Sequence, residues 1–429
     1  MRGFLEELAG RRRFGMRPGL DAMRALCKRL GDPQRRFKAI HVAGTNGKGA
    51  VSAILDSCLV QSGDLKLGRY TSPHLVRLNE RFCLGGVPVD DSVLERAAET
   101  VFAATRRIGG GLPDDLTFFE ALTAVAFELY ARSGSARAIL ECGLGGRLDA
   151  TNVCEPELCV ITRVGLDHCD WLGPTLEAIA SEKAGIVKPG IPVVLGRNDL
   201  DVRHVVERRA KELGAPLYYA PDVASESDVP DGFSLGGAFN RENAVTAIAA
   251  LRVLGNVPDG AIQAGLRTVV WPGRFQRVGR FVVDGAHNPP AAAALVASLK
   301  ALREGRGEFD LVFGACADKD IGSVLSSLAP LVRKGYAVRT VNPRSLDPNS
   351  LAAKMRESGI DAVPVSSLGE AISFCERRGQ EGSLPDAVIC GSLFLAGEAL
   401  LALDAYPWAP GGIDPSEMPQ KGPFRHIGR

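Results

Sequence analysis

The residues best suited to chemistry are three glycines and a lysine in the stretch HVAGTNGKGAVSAIL, which begins at His41. Gly44, Gly47 and Gly49 would let the main chain approach phosphate oxygens closely, because they carry no side chain. A helix that starts after these glycines would add free N–H groups and the positive end of its dipole. Lys48 would bring a cation to the same phosphates. The stretch therefore favours nucleotide binding over the plainer interpretation, a tight turn between a strand and a helix.

This phosphate loop, residues 44–49, departs in two places from the usual pattern G-x-x-x-x-G-K-[ST]. Val42 stands at the position of the first glycine, and Gly49-Ala50 follow Lys48 in place of a hydroxyl residue. Mg²⁺ prefers oxygen ligands, and an alanine side chain supplies none. A metal that accompanies the nucleotide must therefore take its oxygen ligands from other parts of the chain.

Side chains that follow three other predicted strands are candidates for that metal. Thr71 and Ser72 end the first of these strands, although a serine on its own is typical of a turn or helix cap. Glu141 lies at the carboxyl end of the second, the edge at which doubly wound sheets bind ligands, although a lone glutamate is typical of the surface. Asp167 and His168 follow the third. A hydroxyl, a carboxylate and an imidazole are thus available near strand ends.

A lysine in the stretch LDHCDWLGPTLEAIASEKAGIVKPG shares one helix face with apolar residues. The predicted helix opens at Pro174, and Leu176, Ile179 and Lys183 lie on the same side of it. Burial would lower the pKa of Lys183 and free its amine for chemistry, including reaction with CO₂ to give a carbamate. The alternative is a lysine near a helix C-terminus that extends to solvent and stabilises the helix dipole.

A further group lies at the predicted junction of two domains, in PGRFQRVGRFVVDGAHNPP. Arg274, Asp284 and His287 supply a cation, an acceptor and a titratable ring next to a strand-to-helix turn. Ligand sites favour domain interfaces, so their position favours a role in binding.

Alternating strands and helices must position these residues. After the phosphate loop, Val51, Ile54, Leu55, Cys58 and Leu59 recur at the spacing of a core-facing helix. Further helices are predicted around 116–132, 174–185 and 240–254. The predicted strands are FKAIHVAG, LKLGRYTS, RAILECG, LCVITRVG and IPVVLG. Apolar strands separated by helices predict a parallel sheet that is covered on both faces.

A second alternating block begins near residue 279. Its predicted strands are RFVVDGAH, DLVFGAC, YAVRTVNP and DAVICGSLF, and NPPAAAALVASLKAL is predicted as a helix with proline in its opening turn. We place the domain boundary near residue 278, which divides the chain into units 1–278 and 279–429. The segment 197–238 gives no clear pattern, and the Pro- and Gly-rich tail from about 406 predicts loose order.

Length and composition limit the class of protein. The 429 residues predict two or three domains, and 45% hydrophobic content is enough for a sizeable core. A net charge of +1 argues against nucleic-acid binding through bulk charge. Ten cysteines without a C-x-x-C pair predict reduced, mostly buried thiols, and no apolar run has the length of a signal peptide or membrane span. We expect a soluble cytoplasmic monomer without a nucleic-acid or membrane partner.

Nine segments, taken together and in order, resemble the folylpolyglutamate synthase and dihydrofolate synthase family, part of the Mur ligase superfamily. They are HVAGTNGKG, YTSPHLVRLNERF, LTFFEAL, ECGLGGRLDATNV, LDHCDWLGPTLEAIASEKAGI, FNRENAVTAIAAL, WPGRFQ, DGAHNP and ADKDI. The segments run from about 38 to 322, and the resemblance in fold continues to about 405. It implies an α/β protein with a P-loop-containing, doubly wound N-terminal ATPase domain and a smaller Rossmann-like C-terminal domain.

The resemblance also implies a reaction, ATP-dependent amide ligation. ATP would phosphorylate the carboxylate of dihydropteroate or of a reduced folate, and the amine of L-glutamate would attack the acyl phosphate. The resemblance implies two magnesium sites and allows for a bound monovalent cation. The stretches GGRLDATN and TFFE resemble versions that accept dihydropteroate and are often bifunctional, so we favour bifunctional activity over folylpolyglutamate synthesis alone.

The site residues that this resemblance implies fall into three sets, among which Lys48, His168 and Lys183 are predicted to be catalytic. Those for ATP are Gly44, Thr45, Asn46, Gly47, Lys48, Gly49, Ala50, Asn243, Arg274, Asp284 and His287. Those for metal are Ser72, Glu141, His168 and a carbamylated Lys183. Those for the pterin are Thr117, Phe118, Phe119, Glu120, Leu148, Asp149 and Ala150.

Ala50 is a departure from the family, which usually has Ser or Thr there, so a hydroxyl contact at this position is in doubt. Other classes of protein also remain open. A Mur-type or cyanophycin-type ligase would share the loop and the lysine but bind a different acceptor. A regulatory P-loop switch would hydrolyse nucleotide without glutamate, and a folate-binding protein would show no ATP turnover.

Overall fold

The computed structural model describes residues 19–106, 116–302, 304, 307–378 and 385–408. The N-terminal stretch, in which we predicted no signal peptide, and the tail from residue 409 lie outside the described residues. Over the described part of the chain, no helix combines the length and the apolar character that a membrane crossing requires.

Eight strands form the first sheet, and the five strands predicted for this unit are confirmed at its centre. From edge to edge the order is Val87–Pro88, Phe82–Leu84, Gly68–Tyr70, Arg137–Glu141, Lys38–Ala43, Pro156–Ile161, Val193–Leu195 and Leu217–Tyr219. The first three pair antiparallel, and all later neighbours pair parallel. The sheet is therefore parallel as predicted, with an antiparallel edge that was not predicted.

The central strand, Lys38–Ala43, is buried from its second residue onward and places the phosphate loop. Arg137–Glu141 pairs with it on one side and Pro156–Ile161 on the other. The chain fills one side of the sheet first and crosses to the other side later, so a topological switch point lies at this strand. The carboxyl ends of parallel strands at such a point form the usual ligand crevice.

Helices cover both faces of the first sheet. They are Asp21–Arg29, Lys48–Gln61, Asp91–Arg106, Phe118–Ser133, Cys169–Leu172, Leu176–Ala184, Leu200–Glu212, Ala220–Val223, Ala238–Leu254 and Asp259–Thr268. Short 3₁₀ turns occur at Pro33–Arg35, Leu78–Arg81, Ala150–Val153 and Glu226–Asp228. The three predicted helices are confirmed. The segment 197–238, which had no clear pattern, contains two helices, an edge strand and a 3₁₀ turn.

The helix after the phosphate loop has the predicted core face. Val51, Ile54, Leu55, Cys58 and Leu59 are all buried, and they pack against residues of the helices Ala238–Leu254 and Asp259–Thr268. The opposite face of the sheet is covered by the helices Asp91–Arg106 and Phe118–Ser133, among others. The phosphate loop therefore lies on a rigid base.

Six strands form the second sheet. Their order is Ala362–Pro364, Val332–Ala337, Phe309–Phe313, Ala387–Cys390, Phe281–Val283 and Gln276–Val278. The last strand pairs antiparallel and lies just before the boundary predicted at 278. Its helices are Pro289–Leu302, Ile321–Leu328, Pro348–Glu357, Leu368–Arg378 and Leu393–Ala402, with a 3₁₀ turn at Ala329–Leu331. The strand predicted from YAVRTVNP is displaced toward the N-terminus. The observed strand begins at Val332 and ends at Ala337.

Candidate active site

The phosphate loop needs glycine at the positions predicted for it. Gly44 and Gly47 have φ angles of +151° and +88°, which other residues rarely adopt. A Cβ on Gly47 would lie 2.2 Å from Oδ1 of Asn243, so this asparagine lies directly against the loop. The helix Lys48–Gln61 then begins without a side-chain cap. Its first N–H groups have no partner within the helix and are available to an anion.

Main-chain contacts tie the loop to the segment that leads to His168. The N–H of Thr45 donates to the carbonyl of Arg163 at 2.8 Å, and its hydroxyl donates to the carbonyl of Gly165 at 3.0 Å. The hydroxyl of Thr162 donates to the carbonyl of Asn46 at 2.7 Å. The loop and the segment 162–168 are therefore held in one arrangement.

Two lysines meet at the first glycine of the loop. Nζ of Lys48 donates to the carbonyl of Gly44 at 3.0 Å, and Nζ of Lys183 donates to the same oxygen at 2.8 Å. The Lys183 side chain is buried, with Ile179 beside it on the same helix face, and the residue is 3% exposed. Burial and the charge of Lys48 lower the pKa of Lys183 to about 7. Lys183 therefore points into the site instead of extending to solvent.

The helix that carries Lys183 begins at Leu176, two residues later than predicted. Its cap is Thr175, whose hydroxyl accepts a hydrogen bond from the N–H of Ala178 at 3.2 Å, whereas Pro174 lies outside the helix. At the other end, the carbonyl of Glu182 accepts from the N–H of Arg147 at 2.8 Å. This places the GGRLDATN segment against the end of the lysine helix.

Glu141 and Ser72 meet at the ends of neighbouring strands. Oε2 of Glu141 accepts a hydrogen bond from the N–H of Ser72 at 3.0 Å, and the glutamate is 3% exposed. Burial raises the pKa of Glu141, while Lys48, the Ser72 N–H and Arg274 lower it in part. A buried carboxylate of this kind is stabilised as the anion when a cation binds.

His168 lies on the segment that follows the strand Pro156–Ile161. Its side chain is 46% exposed, and its ring Nε2 lies 3.8 Å from Oδ1 of Asp167. Burial lowers the pKa of His168 and Asp167 raises it, while Lys319, Lys48 and Lys183 lower it further. The imidazole therefore lies within reach of the cations at the loop.

The candidate metal ligands differ in how well they suit Mg²⁺. Within the described ranges, no three His, Cys, Asp or Glu side chains form a ready metal site. The predicted set differs in kind, because it combines the Ser72 hydroxyl and the buried Glu141 carboxylate with nitrogen donors. Lys48 shifts the pKa values of Glu141, His168 and Lys183, so its charge acts on all three groups. The two oxygen donors fit Mg²⁺, and Lys183 would fit it only as a carbamate.

Arg274 lies just before the predicted boundary, and Asp284 and His287 of the second unit lie at the same edge. Asp284 is buried and accepts hydrogen bonds at 2.7 Å from the N–H groups of Phe275 and Ala286, so it fixes the turn. Burial lowers the pKa of Arg274, whereas Asp284 and Glu141 raise it. The guanidinium of Arg274 is thus near carboxylates of both units.

Contacts between the units also involve residues that were not predicted. Nδ2 of Asn288 donates to Oδ2 of Asp167 at 2.9 Å. Lys319 lies close enough to shift the pKa values of Asp167, His168 and His287. The motif ADKDI contained the signal for Lys319, but its side chain had no assigned role.

The two predicted pterin segments lie next to each other. Thr117 and Glu120 form a capping box, in which the Glu120 carboxylate accepts from the N–H and the hydroxyl of Thr117, both at 2.8 Å. The Phe119 ring lies 5.9 Å from the ring of Tyr70. A Cβ on Gly143 would meet the same phenylalanine at 2.6 Å. Thr117 and Glu120 therefore have a local structural role.

Asp149 also has a structural role. Its Oδ2 accepts hydrogen bonds from the N–H groups of Gly143 and Leu144 at 2.8 and 2.9 Å. Leu148 beside it is half-buried and Ala150 is buried. The aspartate thus shapes the loop that carries its two neighbours.

Arg81 is a further residue that was not predicted. It is buried, its Nε lies 2.9 Å from Nδ1 of His74, and its guanidinium carbon lies 5.7 Å from the centroid of the Phe118 ring. The only signal was its place in the stretch VRLNERF. A cleft opens beside it, lined by residues of both units that include Thr71, Trp271 and Trp408.

Comparisons with known proteins agree with this geometry. The family model "Mur ligase, glutamate ligase domain" matches residues 273–392. A dihydrofolate synthase/folylpolyglutamate synthase of Bacillus subtilis is 34% identical over 422 residues, which cover 90% of this chain and 95% of the relative.

Solved structures show the same similarity. E. coli FolC in complex with DHPP and ADP has a TM-score of 0.83 at 31% identity, with coverage of 94% of this chain and 97% of that one. A bifunctional folylpolyglutamate synthase/dihydrofolate synthase of Yersinia pestis, complexed with AMPPNP and Mn ion, has a TM-score of 0.82 at 31% identity, with coverage of 94% and 98%. The resemblance predicted from nine segments is confirmed, and the chain belongs to the dihydrofolate synthase/folylpolyglutamate synthase family.

Proposed function

We propose that this protein is an ATP-dependent ligase that joins L-glutamate to the carboxylate of dihydropteroate and of a reduced folate. The observation that carries the proposal is the meeting of Lys48 and Lys183 at the Gly44 carbonyl, beside the buried Glu141. This arrangement places the Lys48 side chain at a loop with free N–H groups, where phosphates of ATP would lie, and a reactive amine beside it. The names of the relatives support a folate acceptor and both activities.

The residues support phosphoryl transfer to a carboxylate. Negative charge builds up on the oxygens of the transferred group, and Lys48 and Arg274 would neutralise it. The acceptor carboxylate attacks the γ-phosphorus and ADP leaves. The amine of glutamate then attacks the acyl carbon, so that the amide forms and phosphate departs with one of the carboxylate oxygens. His168, next to Asp167 and partly exposed, would contribute to this reaction as a ligand of the magnesium that orients the phosphates.

Ser72, Glu141 and His168 are the residues that would hold Mg²⁺. Bound magnesium supplies charge neutralisation and orientation of the phosphates. Lys183, whose pKa is lowered to about 7, would take up CO₂, release a proton and become an anionic carbamate. That change would replace a cation next to the metal with oxygen donors and complete a second magnesium site. The proposal also allows for a bound monovalent cation.

We extend the proposal to the remaining predicted residues. ATP would contact residues 44–50 together with Asn243, Asp284 and His287, and the pterin would lie against residues 117–120 and 148–150. For Thr117, Glu120 and Asp149 we propose a role through the shape of the loops, because their side chains are bound to neighbouring groups.

The same proposal covers organisation and setting. Unit 1–278 would bind ATP and the folate, and unit 279–429 would act as the ligase unit that closes over it. All ten cysteines are unpaired and nine of them are buried, which supports a reducing, cytoplasmic setting. The near-neutral charge argues against nucleic-acid binding through bulk charge, and the proposal includes a monomer that works on small molecules without a membrane partner.

Release of phosphate from ATP tests this function, with glutamate present or absent and a panel of acceptors. We expect release that requires glutamate together with dihydropteroate or tetrahydrofolate. Activity with a muramyl acceptor alone would assign the protein to a Mur-type reaction, and release without glutamate would indicate a nucleotide switch. Binding of folate without any ATP turnover would contradict an enzymatic role. Turnover with only one of the two folate acceptors would contradict bifunctional activity.

A further inference from the structure

Trp271 contacts both the phosphate loop and the buried Arg69. A Cβ on Gly49 would lie 2.3 Å from Cζ2 of the indole, so the ring packs directly on this glycine of the phosphate loop. The guanidinium carbon of Arg69 lies 5.4 Å from the centroid of the same ring. Arg274 follows three residues later in the chain. The indole therefore connects the phosphate loop with the segment that carries Arg274.

Arg69 is itself held firmly. It is 1% exposed, and its Nε donates to Oδ2 of Asp56 at 2.7 Å. Its Nη2 lies 2.9 Å from Sγ of Cys83 on the neighbouring strand. Asp56 belongs to the helix Lys48–Gln61, and Arg69 lies three residues before Ser72. The guanidinium is thus fixed between the phosphate-loop helix and the strand that leads to the proposed metal site.

The buried surroundings of Arg69 strengthen its contact with the indole. Within the part of the chain that the structure describes, Nη1 of Arg69 and Oδ1 of Asp56 are buried without a hydrogen-bond partner. A guanidinium attracts an aromatic face more strongly where water is excluded. The indole cannot move closer to Gly49, because the two are already in contact. A move of the indole away from Gly49 would expose Arg69. One position of the ring is therefore favoured.

We propose that Trp271 is a positioning residue that sets the phosphate loop and Arg274 in the register needed to hold ATP. The indole does not touch the reacting atoms, and it acts through Gly49 on one side and through the chain to Arg274 on the other. This role rests on the proposed function, because it concerns the site at which ATP would bind. Small displacements at such a site weaken binding and turnover strongly.

Steady-state kinetics with separate kcat and KM values test the role. Trp271→Leu should raise the KM for ATP by about tenfold or more, and the conservative Trp271→Phe should return it to within about threefold of the parent. Trp408→Leu is the matched control, because it removes another indole from the same cleft. Equal KM values for ATP in the Trp271→Leu and Trp408→Leu proteins would overturn the proposal.

If the Trp271→Leu protein does not fold, a fluorescence titration of a different variant provides a second test. The chain has three tryptophans, so Trp171→Phe combined with Trp408→Phe leaves Trp271 as the reporter. ADP should change its emission in a saturable way, at the concentration at which equilibrium dialysis shows binding. Binding by dialysis with constant emission would overturn the role of Trp271 alone. No binding by dialysis would overturn the proposed function itself, and this role with it.

Discussion

Lys48 and Lys183 donate to the same acceptor, with their Nζ atoms 3.0 and 2.8 Å from the carbonyl oxygen of Gly44. Two nitrogens on one oxygen lie within about 6 Å of each other, where like charges repel. Lys183 is the more deeply buried of the two and has its pKa lowered to about 7, by burial first and by Lys48 second. Lys48 is therefore available to contact phosphate, whereas the lowered pKa of Lys183 makes its side chain available to react as an amine.

Replacing Lys48 by alanine tests the loop. The interaction of this cation with phosphate should strengthen as the γ-phosphoryl group is transferred, so we expect a loss of about a hundredfold in kcat, or about 3 kcal/mol. The fold should persist, because the side chain bonds only to loop carbonyls. Lys211→Ala, which removes an exposed lysine from the helix Leu200–Glu212, is the control. Near-normal turnover in a folded Lys48→Ala protein would refute the loop assignment.

Lys183→Ala tests the carbamate. We expect almost no activity, with partial recovery when a short carboxylate such as formate is added. A second readout is direct, since ¹³C-labelled bicarbonate should give a carbamate signal in the NMR spectrum of the parent and of Lys211→Ala but not of Lys183→Ala. The signal should weaken as the pH falls below about 7, because protonation of the amine blocks the reaction. An active, nucleotide-bound parent protein without this signal would rule the carbamate out.

Ala50→Ser tests the departure in the loop. Ala50 is buried in the first turn of the helix, and the proposed oxygen ligands Ser72 and Glu141 lie elsewhere. Adding a hydroxyl should therefore change the Mg²⁺ concentration for half-maximal activity by no more than about threefold. A large gain in magnesium affinity would mean that the native metal site is incomplete and that the account of Ser72 and Glu141 is wrong.

His41 should make the protein sensitive to acid. It lies buried in the central strand, with Nε2 2.8 Å from the Thr151 hydroxyl, and burial lowers its pKa from 6.5 to about 3. Between these values the unfolded chain binds the proton and the folded chain does not, so stability falls as the pH falls. From pH 7 to pH 5 the loss from this group should be about 2 kcal/mol.

Urea unfolding at several pH values measures this effect. His41→Gln should be less stable at pH 7 but should lose less stability on acidification than the parent. His204→Gln, at an exposed position on the helix Leu200–Glu212, should keep the slope of the parent. Equal slopes for His41→Gln and the parent would show that His41 is not the source.

The central strands of both sheets could be predicted because their apolar residues form continuous runs between loops. The strands Phe82–Leu84, Val87–Pro88 and Leu217–Tyr219 were not predicted, and each has only two or three residues. The strand Val332–Ala337 was displaced in the prediction because it contains charged residues. Arg333 pairs with Asp310 and Lys334 pairs with Asp361, so this polar segment is compatible with the sheet.

The phosphate loop and the strand-end residues could be predicted from glycine spacing and from the ligand edge of a doubly wound sheet. Contacts that depend on how the second unit packs against the first could not be predicted in this way. Asn288 reaches Asp167, and Lys319 approaches His168, only once both units are folded. Thr117 and Glu120 show the opposite case, since T-x-x-E is a capping pattern that the sequence already contained.

Oxygen-isotope transfer tests the central claim most directly. Dihydropteroate labelled with ¹⁸O in its carboxylate is incubated with the protein, ATP and L-glutamate, and the released phosphate is analysed by mass spectrometry. An acyl phosphate passes one carboxylate oxygen to phosphate when the glutamate amine attacks the acyl carbon. We predict one ¹⁸O atom in each phosphate released and the other in the new amide. Unlabelled phosphate alongside amide formation, or no glutamate-dependent phosphate at all, would contradict the account.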